Sequence, residues 1–395
     1  MAGNRNLAKA KDIKNDEFYT QLSDIEDELR HYRRHFRDKT VLCNCDDPFE
    51  SNFFKYFALN FNRLGLKKLV ATCYSGSPIA GTQLSLFGDA TEEERRTPYK
   101  AVVTSVHDAT GNGGIEMEDV AELFRNGENS IDRLDGNGSY DSAECLELLD
   151  EADIVVTNPP FSLFREYITT LLEHGKKFIV MGNKNALKYK ETFPLIRDGL
   201  LWPGATTLNG GRWMIIPRGV EVKSTKSKVN ERGETILNVP GVMWFTNLDI
   251  KKRHEEIVLF RRYDPGRYPS YTNFDGIDVA KATDIPCDYS GNMGVPISFM
   301  DHFSPDQFEI VGLGEGDLAK EIGVQRNHRG RSDLEIVDEN GAFKRPYARI
   351  VIRNLNPADV SRRRSVNYVE HVFVKARSCL LDCSGITAGS NSCCE

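Results

Sequence analysis

Asn158, Pro159, Pro160 and Phe161 are the residues of this chain best suited to do chemistry. They follow Asp153-Ile154-Val155-Val156-Thr157, a β-branched run of the kind that forms a buried strand. An asparagine side-chain oxygen and a nearby backbone carbonyl can both accept hydrogen bonds from an exocyclic NH2 group. Two prolines lack N–H groups and fix φ near about −65°, which holds that carbonyl in place. Phe161 offers a ring face to a flat heterocycle. Together these are the parts needed to hold an adenine and use its N6 as a nucleophile. The same tetrapeptide has a plainer reading, because Asn-Pro initiates turns and Pro-Pro after a strand can simply end it.

The surrounding pattern decides what positions these residues. Leu22, Ile25, Leu29, Tyr32 and Phe36 recur at spacings of three and four, which predicts an amphipathic helix over 21–37. A short strand is expected at 40–44. Asp47-Pro48-Phe49-Glu50 then has the chemistry of a helix start, with Asp47 as the cap. The buried face of that helix would be Phe54, Phe57, Phe61 and Leu64, with Gly65 ending it. Further strands are expected at 68–73, 99–106, 153–157 and 177–181, and helices at 116–125, 143–149 and 163–173. Residues 74–98 have the turn-rich, charged character of a surface excursion. Strand and helix alternate through this half, which argues for an α/β fold with a parallel sheet and helices on both faces.

After residue 200 the pattern changes. Strands are expected at 213–216, 242–246 and 256–260, separated by basic, glycine-containing loops. Short strands at 308–312 and 347–352 suggest a smaller mixed module. Beyond Asn354 the pattern fades, apart from an apolar run near 366–374, and the Ser-, Gly- and Cys-rich end has the character of a poorly ordered tail.

Ligands of an open parallel sheet collect at the carboxyl ends of its strands. Three segments meet that rule: Cys43 to Pro48, Gly138-Ser139-Tyr140-Asp141-Ser142, and Asn158 to Phe161. Asp16-Glu17-Phe18-Tyr19-Thr20 can fold back to join them. This constellation resembles the EcoRI-type adenine-specific DNA methyltransferases. The resemblance rests on Asp16-Glu17-Phe18-Tyr19-Thr20-Gln21, on Cys43-Asn44-Cys45-Asp46-Asp47-Pro48, on Asp153 through Ser162, and on Met293-Gly294-Val295-Pro296-Ile297-Ser298-Phe299. It fades after about Asn354.

The resemblance implies S-adenosylmethionine as methyl donor, a Rossmann-like methyltransferase sheet, and transfer to adenine N6 in double-stranded DNA. It makes Asn158, Pro159, Pro160 and Phe161 the catalytic set. Phe18, Tyr19, Thr20, Asn44, Asp46, Asp47, Asp108, Tyr140 and Asp141 become candidates for holding the donor. Asp46 suits its ammonium or ribose hydroxyls; Asp47 and Asp108 have structural readings as helix cap and solvated strand-end carboxylate. The turn after the first strand has no G-x-G, a departure that the family shares. Asn183 and Lys184 sit on the expected rim. Arg212 and Trp213 follow a tight turn, and Lys226 lies in a basic loop; all five are candidates for DNA contact.

These readings divide the chain into a donor-binding catalytic core at 1–205, remaining core strands with a target-recognition region at 206–354, and the tail at 355–395. Its 395 residues are 40% hydrophobic and 28% charged, an ordinary globular composition. Net charge is −7, yet 212–267 carries 12 basic and 7 acidic residues, and 326–364 carries 10 and 5. Such local patches suit a DNA footprint on an acidic protein, and equally suit solvated loops. Nine cysteines at irregular spacing point to reduced thiols, with Cys43 and Cys45 as packing residues, and no metal site is expected. No apolar run approaches a membrane span and the first residues are polar, so a cytoplasmic protein is expected, acting as a monomer. Two rival readings are an Asn-Pro-Pro-aromatic methyltransferase of RNA or of a protein glutamine, and a catalytically silent binding protein on the same scaffold.

Overall fold

The computed structural model describes residues 20–45, 51–73, 98–109, 111–125, 127–207, 211–216, 227–230 and 233–358. Phe18, Tyr19, Asp46, Asp47, Lys226, the 74–97 excursion and the expected tail from residue 359 lie outside them. Among the described residues, eight strands form one sheet. Their chain order is β1 (Thr40–Cys43), β2 (Lys68–Thr72), β3 (Tyr99–Val103), β4 (Ser130–Arg133), β5 (Ile154–Thr157), β6 (Lys177–Asn183), β7 (Trp202–Pro203) and, after three strands that form a separate sheet, β11 (Val242–Thr246). Their spatial order is β4-β3-β2-β1-β5-β6-β11-β7.

The central four strands, β2-β1-β5-β6, are parallel. The flanking strands are not: β3 runs antiparallel to β2, and β11 antiparallel to β6. The sheet is therefore mixed, which corrects the expectation of a parallel sheet throughout the first half. A strand that reverses beside its neighbour needs no crossover helix, and no helical period runs through 74–98.

Alternation along each central strand splits the core into two layers. Val41, Leu69, Ala71, Ile154, Val156, Ile179, Met181 and Trp244 face one side, where they meet Ile25, Leu29, Phe36, Phe53 and Phe57. Leu42, Val70, Val155, Phe178, Val180 and Phe245 face the other and meet Leu148, Phe164, Ile168 and Leu171. Helices thus cover both faces. The expected helix over 21–37 is two pieces, Leu22–Leu29 and Arg33–Phe36. Between them His31 and Tyr32 donate their amides to carbonyls three residues back, tightening the turn while keeping Tyr32 buried. The helix carrying Phe54 and Phe57 starts at Asn52, and its cap is Ser51, whose hydroxyl accepts the Phe53 amide at 3.1 Å. Gly65 closes the following turn with φ 65°, as a left-handed cap requires.

The other two strand groups are β8 (Gly211–Ile215), β9 (Ser227–Val229) and β10 (Thr235–Pro240), paired in the order β8-β10-β9, and a module of β12 (Ile277–Asp278), β13 (Met293–Pro296), β14 (Phe308–Leu313) and β17 (Arg349–Asn354). Met293, Val295, Phe308, Ile310, Ile350 and Ile352 join the same core as Leu171 and Phe245, so this module packs directly on the second helical layer. A short hairpin, β15 (Ile336–Val337) with β16 (Phe343–Lys344), projects from it. The expected strand at 256–260 does not form: Val258 is 79% exposed and Phe260 65%, and only an isolated bridge at Arg261 follows. Its apolar residues find no neighbouring strand.

Candidate active site

Strand order reverses between β1 and β5: from β1 the chain moves to β2 on one side, and β5 returns on the other. Such a switch point opens a crevice at the strands' carboxyl ends. Leu42 is in register with Val155, which brings Asn44 level with Thr157 and next to Asn158. The sequence signal and the topology therefore converge on one spot.

Asn158 is buried, and Pro159 with it, while Pro160 and Phe161 are half-buried. The Pro160 carbonyl accepts the Leu163 amide at 2.9 Å, which starts the turn of Phe161–Leu163. The Pro159 carbonyl receives no backbone amide among the described residues. The helix Phe164–Glu173 follows at once and is fixed by Phe164, which lies against β6 where Gly182 has no side chain. A Cβ on Gly182 would stand 2.4 Å from the Phe164 ring, so only glycine permits the contact. Burying a phenylalanine in this way stabilises by about 1.5–3 kcal/mol, and it sets where the preceding turn can lie.

Tyr167, one turn on from Phe164, reaches the end of β1. Its hydroxyl donates to Asn44 Oδ1 at 2.5 Å, and the Tyr140 ring stands edge-on to it at 4.9 Å between centroids. Burial, foremost, pushes the Tyr167 phenol well above its ordinary value. Asn44 and Tyr140 are thereby brought together with the Asn158 turn. Tyr167 was not among the sequence candidates. Its position on the apolar face of the helix reads as core, yet a tyrosine hydroxyl on such a face needs a polar partner.

Thr20 is buried and its hydroxyl lies 2.9 Å from Met181 Sδ, near the carboxyl end of β6. Asn52 donates to the Thr20 carbonyl at 2.8 Å. Of the segment Asp16–Thr20 only Thr20 is described, and it lies at this rim. Asp141 is exposed on the same edge and accepts the Ser139 hydroxyl at 2.5 Å. Asp108 is not brought together with the others. It follows β3, which runs opposite to β2, so it emerges at the other edge of the sheet. Its carboxylate accepts the amides of Gly111 and Gly113, each at 2.6 Å, a turn-forming role.

Asn183 ends β6 on the rim and its Oδ1 accepts the Asn185 amide at 2.9 Å, capping the turn that contains Lys184. Arg212 is engaged within the chain: it pairs with Asp24 at 3.1 Å and donates to Thr206 Oγ1 at 2.5 Å. The Trp213 ring is covered by Lys228, whose ammonium stands 4.3 Å from its centroid.

Two buried polar atoms beside the crevice have no hydrogen-bond partner among the described residues: Asn44 Nδ2 and Thr157 Oγ1. Buried polar groups are normally satisfied, so the rim fits a polar ligand between β1 and β5. Among the described residues no group of His, Cys, Asp or Glu could hold a metal, and no helix is long and apolar enough to cross a membrane.

A family model described as adenine-specific methyltransferase EcoRI matches residues 6–355. The Type II methyltransferase M.EcoRI of Escherichia coli is 40% identical over 89% of this chain and 97% of its own length. M.MpnI of Mycoplasma pneumoniae is 36% identical over 87% of the chain and 97% of its own, and M.MgeORF184P of Mycoplasma genitalium 31% over the same shares. No solved structure matches significantly.

Proposed function

The chain belongs to the EcoRI adenine-specific methyltransferase family, and from that premise we propose how its residues work. It is a DNA adenine methyltransferase. The proposal is that the β1–β5 crevice of a Rossmann-like methyltransferase sheet takes S-adenosylmethionine, and that Asn158 to Phe161 hold the N6 amine of a flipped-out adenine beside it. The observation that carries this reading is the position of Asn158, at the carboxyl end of β5 and next to the switch point.

S-adenosylmethionine supplies an electrophilic methyl group on a sulfonium. Around it, Asn44 and Thr157 offer buried polar atoms, Thr20 and Tyr140 line the rim, and Asp141 stands outside as an acceptor. Phe18, Tyr19, Asp46 and Asp47 belong to the same proposal through the sequence alone.

Adenine N6 is a poor nucleophile because its lone pair is delocalised into the ring. Hydrogen bonds from its two hydrogens to Asn158 Oδ1 and the Pro159 carbonyl favour a more tetrahedral nitrogen. They also stabilise the positive charge that develops there. Pro159 and Pro160 keep the accepting carbonyl from turning away. Phe161 stacks on the base. In a duplex N6 is out of reach, so the adenine leaves the helix at a cost of a few kcal/mol. In this reading residues 1–205 supply the catalytic core, whose sheet β11 completes, and the module within 206–354 faces the duplex.

The test is transfer of labelled methyl to duplex oligonucleotides, with the product nucleoside identified after digestion. N6-methyladenine is the expected product. Transfer to RNA or protein but not to duplex DNA would overturn the reading.

A further inference from the structure

Within the basic 326–364 stretch, the module carries an exposed cationic ridge whose residues have so far been given no individual role. Residues 326–331 form a closed loop: the Asn327 amide donates to the Arg331 carbonyl and the Gly330 amide to that of Asn327, both at 2.8 Å. Asn327 Oδ1 accepts the amides of Arg329 and Arg331, each at 3.0 Å. With its backbone groups turned inward, the loop presents Arg326, Arg329 and Arg331 to solvent. Lys344 stands exposed on the neighbouring hairpin.

The ridge is locked in place. His328 Nδ1 bonds the buried Glu335, and its ring stacks on Phe343 at 4.6 Å and 18°. Phe343 is itself 50% exposed. The carboxylates beneath are paired, Asp333 with Arg345 at 3.4 Å and Glu335 with His328, while the hairpin turn adds Asp338 and Glu339 beside the ridge. Arg326, Arg331 and Lys344 make no ion pair among the described residues.

A chain of contacts ties the ridge to the catalytic rim. Arg345 pairs with Glu315 at 3.2 Å, and Glu315 pairs with Lys188 at 3.1 Å. Lys188 ends the short turn that starts at the carboxyl end of β6 and holds Lys184. Its ammonium also lies 5.1 Å from the Tyr347 ring. Lys188 and Arg165 are themselves paired, with Glu315 and with Glu191, so these contacts fix the module against the rim rather than extend its charge.

We propose that the Arg326–Arg331 loop and the adjoining hairpin are a DNA backbone-binding surface, with Arg326, Arg331 and Lys344 contacting duplex phosphates flanking the flipped adenine. The proposal rests on the DNA-methylating function above. Charge complementarity selects the occupant: a duplex carries one negative charge per about 1.7 Å of axis, and fixed, unpaired cations on a rigid loop match it. His328 acts as a positioning residue, holding the loop against Phe343.

The experiment compares the wild-type full chain with Arg326→Gln/Arg331→Gln/Lys344→Gln, using fluorescence anisotropy on duplex DNA across salt concentrations. Each lost phosphate contact removes about 0.9 from the slope of log K against log salt, so the slope should become shallower by about 2–3. Affinity at physiological salt should fall at least about tenfold, since three contacts of this kind carry more than one decade. Donor binding and melting temperature should be unchanged, and Lys177→Gln, at the opposite edge of the sheet, should match wild type. A triple variant with wild-type slope and affinity overturns the surface while leaving the methylation reading intact. A wild-type chain that neither binds nor methylates duplex DNA overturns both.

Discussion

The Tyr167 hydroxyl donates to the Asn44 side-chain oxygen at 2.5 Å, tying the helix after the Asn-Pro-Pro-Phe turn to the residue that ends β1. The two halves of the crevice, one proposed for the donor and one for the acceptor base, are thus joined by a buried side-chain hydrogen bond in addition to the β1–β5 pairing. Because burial keeps the phenol protonated, it remains a donor at every working pH. Tyr167→Phe leaves Asn44 Oδ1, among the described residues, with the weak Cys45 thiol contact at 3.6 Å. An unsatisfied buried acceptor costs about 1–3 kcal/mol, and Asn44 should turn to recover part of it. Donor affinity, measured by calorimetry, should drop about tenfold, the equivalent of about 1.4 kcal/mol. Wild-type affinity in the variant would separate Asn44 from the donor site.

Asn158→Ala tests the other half. Removing one group that stabilises developing charge typically lowers turnover by about 10²–10³. Single-turnover methylation should show that loss, while calorimetric donor binding stays within about threefold, since the side chain lies on the base side of the crevice in the proposed arrangement. A variant that methylates DNA at the wild-type rate would remove Asn158 from the reaction.

Local signals carried the central strands and the turn at Asn158–Phe161. β-branched runs at 68–72 and 154–157, and the prolines that follow Asn158, are informative without tertiary context. β4 was not legible, because Ser130-Ile131-Asp132-Arg133 forms a largely exposed edge strand with no alternating apolar face. Strand direction was not legible either. Nothing within Tyr99–Val103 records that it runs against β2, and that reversal alone carries Asp108 away from the site. Nor could sequence separate the apolar run at 256–260 from a strand, since what it lacks is a neighbour. Tyr167 falls between these cases: its spacing places it correctly on the buried face, but only the fold supplies Asn44 as its partner.

Glu28 is a buried carboxylate that stabilises the fold away from the chemistry. It is fully buried within the helix Leu22–Leu29, accepts the Tyr32 hydroxyl at 2.7 Å, and takes the amides of Ala205 and Thr206 at 2.6 and 2.8 Å. Gly204 lets the chain approach, since a Cβ there would stand 2.3 Å from the carboxylate. Glu28→Ala strands three donors, and hydrogen bonds to charged groups are worth about 1.5–3 kcal/mol each before relaxation. Some donors will find water, so a net loss of about 3 kcal/mol or more is expected in urea unfolding. A loss below about 1 kcal/mol would mean the 204–206 segment can detach without consequence.

His254 predicts a pH dependence that joins the core to the C-terminal module. Its ring nitrogens lie 2.7 Å from Asp306 and 2.7 Å from Asp249. Hydrogen bonding to Asp306, then to Asp249, raises its pKa above the ordinary value. Asp249 also faces Arg34 at 3.8 Å, so it keeps a cationic neighbour when the imidazole is neutral. A raised native pKa means that the protonated ring favours the folded state. That contribution is complete below about 6.5, the unfolded value, and is lost as pH rises through the higher native one. The side chain is 42% exposed, so screening limits the effect to about 1 kcal/mol or less. His254→Asn should therefore melt below wild type at pH 6, by about 2 °C for a chain of this size, and the gap should close by pH 9. A gap that stays constant between these pH values would show that the two bonds hold without the imidazolium charge.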